Sequence, residues 1–323
     1  MIHVGIDEAG YGPLLGPLVV GAAAFRVRGA EAEGSDDAAS ASLRERLAGL
    51  VCDAKGPRTK NPLPVAIDDS KAVHGRFGVP GLVRGVAWAA SGSGRAAPTD
   101  LADWLERFGD RGPEAFAADP WFHRPHEERI AAYDAPAGLR EALRLRGVEP
   151  LLLTVSPATP FELNDAFDRL DNKGRVLFLA TAALLVRVLS DLPGEDVRVV
   201  LDRQGGRLDY GPWLAELFPW HAVRREPAPQ GVSRYAFEEG GRRVTLTFAT
   251  RGDRLDLPTG LASMAAKLTR ELFMGRLNAW VARRRPGLAP TAGYVEDGRR
   301  FLAEAAPVLR AERVDLRRLV RSR

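Results

Sequence analysis

Two periodicities divide this chain. Near-continuous apolar runs at residues 2–6 and 17–27 predict two strands, joined by a turn dense in glycine and proline. Shorter runs at 150–155, 197–201 and 244–249 predict three more, the last pairing with 234–238 as a hairpin across an EGG turn. Apolar residues at helical spacing predict helices over 41–50, 139–146, 172–192 and 258–283, with two closing helices near 298–305 and 311–320. Two segments are mostly aperiodic, the first apart from its 41–50 helix. Residues 28–62 are rich in alanine, glycine and charge, and residues 90–137 open on the linker-like ASGSGRAAPTD before short pieces broken by prolines. They read as insertions in an α/β or α+β domain with mixed strand order.

Composition narrows the class. A 45% hydrophobic, 27% charged chain of 323 residues has the make-up of a soluble globular protein, with room for one large domain or two small ones. Its single cysteine, Cys52, excludes an intramolecular disulfide and a cysteine-rich zinc site. The N-terminus carries acids where a signal peptide needs an apolar core, and no window approaches a membrane span, so a cytoplasmic protein without membrane association is expected. Charge is placed unevenly. Residues 267–323 hold 14 Lys/Arg against 6 Asp/Glu, net +8, which leaves −4 on residues 1–266 from a total of +4. A basic end on a mildly acidic body points to a polyanion partner, although a solvated basic helix face gives the same count.

Chemistry gathers where apolar runs end. IHVGID ends at Asp7 with Glu8 beside it, VRVVLD ends at Asp202, and VTLTFATRGD reaches Asp253. Each acid alone reads as an ordinary strand terminator, and no spacing rule links the four. Adjacent strand residues face opposite sides, so Asp7 and Glu8 converge only where the strand is ending. If the four do gather, their mutual repulsion calls for a cation, and an all-oxygen donor set suits Mg2+ or Mn2+. Two such ions suit phosphodiester hydrolysis. Other signals are weaker. HRPH (His123, His126) has ligand-like spacing but lacks cysteine or acid partners. GYGPLLG is followed by a β-branched run and not by the helix that a dinucleotide loop requires. Trp213, Trp220 and Trp280 read as packing residues.

Six segments, in order, resemble the ribonuclease HII (type 2 ribonuclease H) family. DEAGYGPLLGP resembles its DEAGRGPLAGP opening, and DDSKAV its DSKKL segment. VSPATPFELN, VVLDRQGGR, GDRLDLPTGLASMAAKLTREL and PTAGYVEDGRRFL resemble its later motifs, the whole covering about two thirds of the chain. The resemblance implies a ribonuclease H-like α/β fold: a mixed five-stranded sheet flanked by helices, with a helical C-terminal region. It implies a catalytic domain over 1–266 and a basic helical region over 267–323 packed on it. It implies a divalent-metal endoribonuclease, acting as a monomer on RNA–DNA hybrids or on ribonucleotide-containing DNA duplexes. Asp7, Glu8, Asp202 and Asp253 match the metal-binding, catalytic carboxylates. Asp253 is preferred to Asp256 because it stands ten residues before Ser263 of LAS. Gly10, Tyr11, Gly12, Ser70, Lys71, Lys267, Arg270 and Tyr294 match the substrate-binding positions. Tyr11 departs from the family's arginine and removes a cation, which leaves open a nuclease of this fold with another substrate. A non-catalytic nucleic-acid-binding relative is the third reading.

Overall fold

Strand β1 (Ile2–Ala9) has no solvent-facing stripe, and in the computed structural model of the chain it lies inside a sheet covered on both faces. The structure describes residues 1–29, 43–56, 63–123, 130, 133, 135–250 and 256–323. Nine strands are described: β1, β2 (Leu18–Val27), β3 (Val51–Cys52), β4 (Val65–Ala66), β5 (Val148–Ala158), β6 (Val197–Asp202), β7 (Arg224–Glu226), β8 (Ser233–Glu239) and β9 (Arg242–Ala249). Seven form one sheet in the order β5-β2-β1-β6-β9-β8-β7, and β3 pairs with β4 apart from it.

Five neighbours, β5-β2-β1-β6-β9, make the mixed sheet that the resemblance implies. β2 alone runs against its neighbours, while β1, β6 and β9 are parallel. The expected hairpin of β8 with β9 is present, and with β7 it extends the sheet to seven strands.

Among the described residues the helices with defined bounds are α1 (Ser70–Gly92), α2 (Leu101–Phe108), α3 (Leu139–Leu145), α4 (Pro160–Leu170), α5 (Lys173–Asp191), α6 (Gly211–Leu217), α7 (Leu257–Arg284) and α8 (Val295–Ala311), and residues 43–46 are also helical. Strand alternation sorts the core into two layers. Ile2, Val4 and Ile6 of β1 pack with Phe178, Leu185 and Val188 of α5. On the other face Val19, Ala23 and Phe25 of β2 pack with Val86 and Trp88 of α1 and with Leu261, Ala265 and Leu268 of α7. Two glycines let α7 lie directly on the sheet. A Cβ at Gly5 would stand 1.9 Å from the Thr259 nitrogen, and one at Gly21 would stand 2.4 Å from the Ala262 carbonyl oxygen. Only glycine permits that approach.

Three expectations are corrected. The boundary at 266/267 falls inside α7, one continuous helix whose middle is buried against the sheet, so the basic region does not begin as a separate unit. The two closing helices are one, α8, which continues through Pro307 to Ala311 and is followed by a short 3-10 turn at Leu316–Arg318. Trp280 is buried and Trp213 packs at the α5 layer, but Trp220 is 92% exposed and belongs to no core. Among the described residues no helix is long and apolar enough to cross a membrane.

Candidate metal centre and nucleic-acid interface

The parallel pairing of β1 with β6 sets the acids. Its last pair is Ile6 with Leu201, so Asp7 and Asp202 are the next residues on two neighbouring strands. Gly5 and Gly21 face α7, and Asp7 pairs with Gly21 on β2, which puts Asp7 on the α7 side. Leu201 packs in the α5 layer, so Asp202 alternates onto the same side as Asp7. Parallel strands stand roughly 4.8 Å apart. Two carboxylates on one face of neighbouring strands are a pair that a divalent cation could bridge. The donor set is hard oxygen, as Mg2+ or Mn2+ requires.

Glu8 lies one residue further along the same strand, and its backbone N–H donates to Asp7 Oδ1 at 2.8 Å. Alternation turns it toward the other face, where its charge, after burial, is the second influence raising the Tyr11 phenol pKa. Asp253 lies outside the described residues. Among the described residues, no three His, Cys, Asp or Glu side chains gather as a metal-holding group. Asp256 is the N-cap of α7 and accepts from Thr259 N at 3.0 Å and Thr259 Oγ1 at 2.6 Å.

Beside the acids the chain turns through residues 10–17. Gly10 has φ +90°, and a Cβ there would stand 2.5 Å from the Pro17 carbonyl oxygen. The backbone N–H groups of Leu14 and Leu15 donate to Gly293 O at 2.8 and 3.0 Å, which docks the Gly293–Tyr294 turn onto this one. Tyr294, which follows Gly293 in that turn, is 53% exposed. Gly12 is exposed, with open space where its side chain would be.

Arg270 is placed differently from expectation. It is 2% exposed, and its guanidinium donates to the carbonyls of Leu15 (3.2 Å), Pro17 (3.3 Å) and Ala292 (2.8 Å). Burial lowers its pKa. It therefore holds the two turns together and is not available to a substrate phosphate. Ser70 is corrected in the same way. It is 5% exposed, and its hydroxyl accepts from Ser263 Oγ at 2.9 Å, tying the start of α1 to α7. Lys71, next to it, is exposed, with its backbone N–H donating to the N-cap Asp69 at 2.8 Å. Lys267 is half-buried and paired with Glu271 on its own helix. His123 bonds to the Ala117 carbonyl through Nε2 at 2.7 Å, and His126 lies outside the described residues.

Three supports escaped the sequence reading. Arg321, 4% exposed, donates through Nε and Nη2 to Gly16 O at 2.9 and 2.6 Å and through Nη1 to Gly10 O. Burial and the Arg270 charge bring its pKa down to about 9. Asn164, 2% exposed, donates to Arg317 O (3.0 Å) and Val320 O (2.8 Å) and accepts from Ser322 N (2.7 Å), which anchors the C-terminal residues. The ammonium of Lys173 lies 4.8 Å from the centroid of the Tyr11 ring. Arg321 gave no signal because it is one of fourteen basic residues in its region. Asn164, a lone amide among apolar helix positions, was a visible one.

The chain matches no protein-family model, and no curated protein matches it. Solved structures similar to it include the PCNA:RNase HII complex from Archaeoglobus fulgidus, at 16% identity over 100% of this chain and 95% of that one, TM-score 0.44. Ribonuclease H2 from Pyrococcus horikoshii OT3 aligns at 15% identity over 99% and 92%, TM-score 0.40. Bst-RNase HIII in complex with Mn2+ aligns at 12% over 100% and 66%, TM-score 0.40. At these identities the site has to be argued from this chain's own residues.

Proposed function

We propose that the chain is a divalent-metal-dependent endoribonuclease that hydrolyses the RNA strand of RNA–DNA hybrids and accepts ribonucleotides embedded in a DNA duplex. The observation that carries this reading is the pair Asp7 and Asp202, side by side on two parallel strands next to a glycine turn open to solvent. Asp7, Glu8, Asp202 and Asp253 would hold Mg2+ or Mn2+. When bound, the cation activates water for attack on the phosphodiester and stabilises the leaving oxygen. The protein's own groups bind and orient. The Gly10–Gly12 backbone approaches a ribose closely enough to meet its 2′-OH, the group that separates RNA from DNA. Lys71 is free to meet a backbone phosphate, and Tyr294 offers a ring to a sugar. The net +4 charge of the chain is compatible with a polyanion partner.

Cleavage of three labelled duplexes with Mg2+ or Mn2+ tests the reading: an RNA–DNA hybrid, DNA with one ribonucleotide, and all-DNA. The hybrid should be cut and the all-DNA duplex left intact. Asp202→Asn should abolish cleavage while leaving the melting temperature near that of the parent, because removing one of two like charges costs the fold little. Full activity in that variant refutes the metal-site assignment. Hybrid binding without cleavage under any divalent metal favours a non-catalytic binding protein. Cleavage of all-DNA alone makes it a nuclease of another specificity.

A further inference from the structure

The geometry points to Lys173 as the residue that binds a backbone phosphate at the Gly10–Gly12 turn, with the Tyr11 ring as its seat. This rests on the nucleic-acid reading above and assigns to it a contact from a different part of the chain.

Three cations stand in a row under and beside the turn. Arg270 and Arg321 are buried and donate to the carbonyls of Gly10, Leu15, Gly16, Pro17 and Ala292. No carboxylate among the described residues forms a salt bridge with either. Lys173 is the outermost of the three and is half-buried. The charge of Arg321, after burial, depresses its pKa, so the two are close enough to repel. Carbonyls orient the arginines but do not neutralise them, so both keep their positive charge beneath the turn.

Lys173 differs from the two arginines in having hydrogen-bond donors to spare. Among the described residues its ammonium pairs with no carboxylate and no carbonyl. Its one contact of note is the Tyr11 face, at 4.8 Å from the centroid. A ring holds a cation without using its N–H donors, so all three remain for an anion. Placement is local and well supported. Asp171, at φ 47°, ends α4 and turns the chain, and Asn172 caps α5 by accepting from Arg175 N at 3.0 Å. The C-terminal Arg323 pairs with Asp171 and braces this corner. Tyr11 itself packs at the edge of the cluster formed by Leu18, Leu163, Phe167, Val176 and Leu177, which fixes the ring. Glu8 lies near Tyr11, and its charge opposes an incoming phosphate. The open space at Gly12 gives that phosphate a route past it.

The family motif that this turn resembles carries an arginine where Tyr11 stands. Here the cation comes from the start of α5, 162 positions away in sequence, and the ring at position 11 carries it.

The test is binding of a fluorescent RNA–DNA hybrid by anisotropy, without divalent metal, over a salt series. The proteins are the parent, Lys173→Met, Lys173→Arg and Lys71→Ala, each with its melting temperature recorded. Methionine keeps the apolar stem and loses the charge. Lys173→Met should bind on the order of ten-fold more weakly, and its log–log salt slope should shrink by about 0.9, one phosphate's worth of counterion release. Lys173→Arg should restore the slope. Packing loss alone would change affinity or melting without changing the slope. A parental slope in Lys173→Met, together with a reduced slope in Lys71→Ala, overturns the assignment of Lys173 and leaves the nuclease reading standing. No hybrid binding by the parent protein overturns both. If Lys173→Met melts below the assay temperature, Lys173→Gln takes its place with the same two outcomes.

Discussion

Helix α7 is held from two sides by segments that do the job with different chemistry. Residues 99–123 approach it with aromatic rings. Trp104 donates its Nε1–H to Thr269 Oγ1 at 2.8 Å, Phe116 and Phe122 meet Phe273 at 5.0 and 4.9 Å, and Trp121 meets Trp280 at 6.1 Å. The C-terminal residues 316–323 brace the elements around it with guanidiniums: Arg321 to the Gly10 and Gly16 carbonyls beside Arg270, Arg317 to Asp168, Arg318 to Asp119 and Arg323 to Asp171. Apolar burial is strong and tolerant of small shifts. Guanidinium–carbonyl bonds are directional, and they decide where the Gly10–Gly16 carbonyls point. The aromatic collar should therefore govern stability, and the arginine strap should govern the shape of the turn beside the acids.

The largest effect is expected on the collar. Trp104 is fully buried, and truncation leaves a cavity and removes the bond that the Thr269 hydroxyl accepts, while its own bond to Ala265 O remains. Trp104→Ala should cost about 3–5 kcal/mol. Thermal melting reads this directly. Cleavage per folded molecule should stay close to the parent, because no collar residue adjoins Asp7 or Asp202. A stable Trp104→Ala variant with lost cleavage would reverse the division of labour.

Arg321→Ala comes next. It strands the Gly10 and Gly16 carbonyls and should cost about 2–4 kcal/mol. Here cleavage should fall even at temperatures where the variant is folded, since the turn loses its inner support. Arg321→Lys should recover stability only in part, because an ammonium lacks the guanidinium's fixed planar fork of donors. If Arg321→Ala keeps parental cleavage when folded, the strap has no share in shaping the site.

The two segments also differ in how far the sequence disclosed them. The sheet was legible because buried strands must be apolar, and β1, β2, β6, β8 and β9 each announced themselves. The neighbouring placement of Asp7 and Asp202 follows from acids ending two runs that pair as parallel strands. Residues 90–137 read as an insertion without counterpart, yet they make the collar: Gly109 bridges to Val155, and Asp110 N donates to Val155 O at 2.8 Å, covering an edge strand that would otherwise be open. Aromatic contacts between residues more than 150 positions apart leave no periodic trace. The basic tail misled in the other direction. Its charge excess suggested a binding surface, but Arg270, Arg276 and Arg321 are buried, and Arg284, Arg300, Arg317, Arg318 and Arg323 pair with acids. Composition counts charges and cannot tell a guanidinium facing water from one capping a carbonyl. Ser70 and Arg270 were assigned to substrate by motif resemblance, which likewise does not tell a buried side chain from an exposed one.

The smallest effect is expected where the two segments touch. Asp119 belongs to the collar, is 3% exposed, and receives Arg318 of the strap at 3.3 Å. Burial raises its pKa to about 6, and Arg318 offsets only part of that. A carboxyl whose folded pKa lies above its ordinary value binds its proton more tightly when folded. Its contribution therefore favours the fold below the ordinary carboxylate pKa and is lost as pH rises through about 6. Between pH 4 and 7 that loss is on the order of 2–3 kcal/mol. Asp119→Asn removes the titration while keeping the shape. The difference in unfolding free energy, parent minus Asp119→Asn, should thus shift in favour of the parent as pH is lowered from 7 to 4, against the general acid destabilisation that both share. Denaturant melts at pH 4, 5, 6 and 7 measure it. A constant difference across that range would mean that Arg318 fully compensates the buried charge, and that collar and strap are joined by a salt bridge with no pH dependence. A difference that moves the other way would mean that the ion pair itself is the stabilising form, and the junction would then belong with the directional chemistry of the strap.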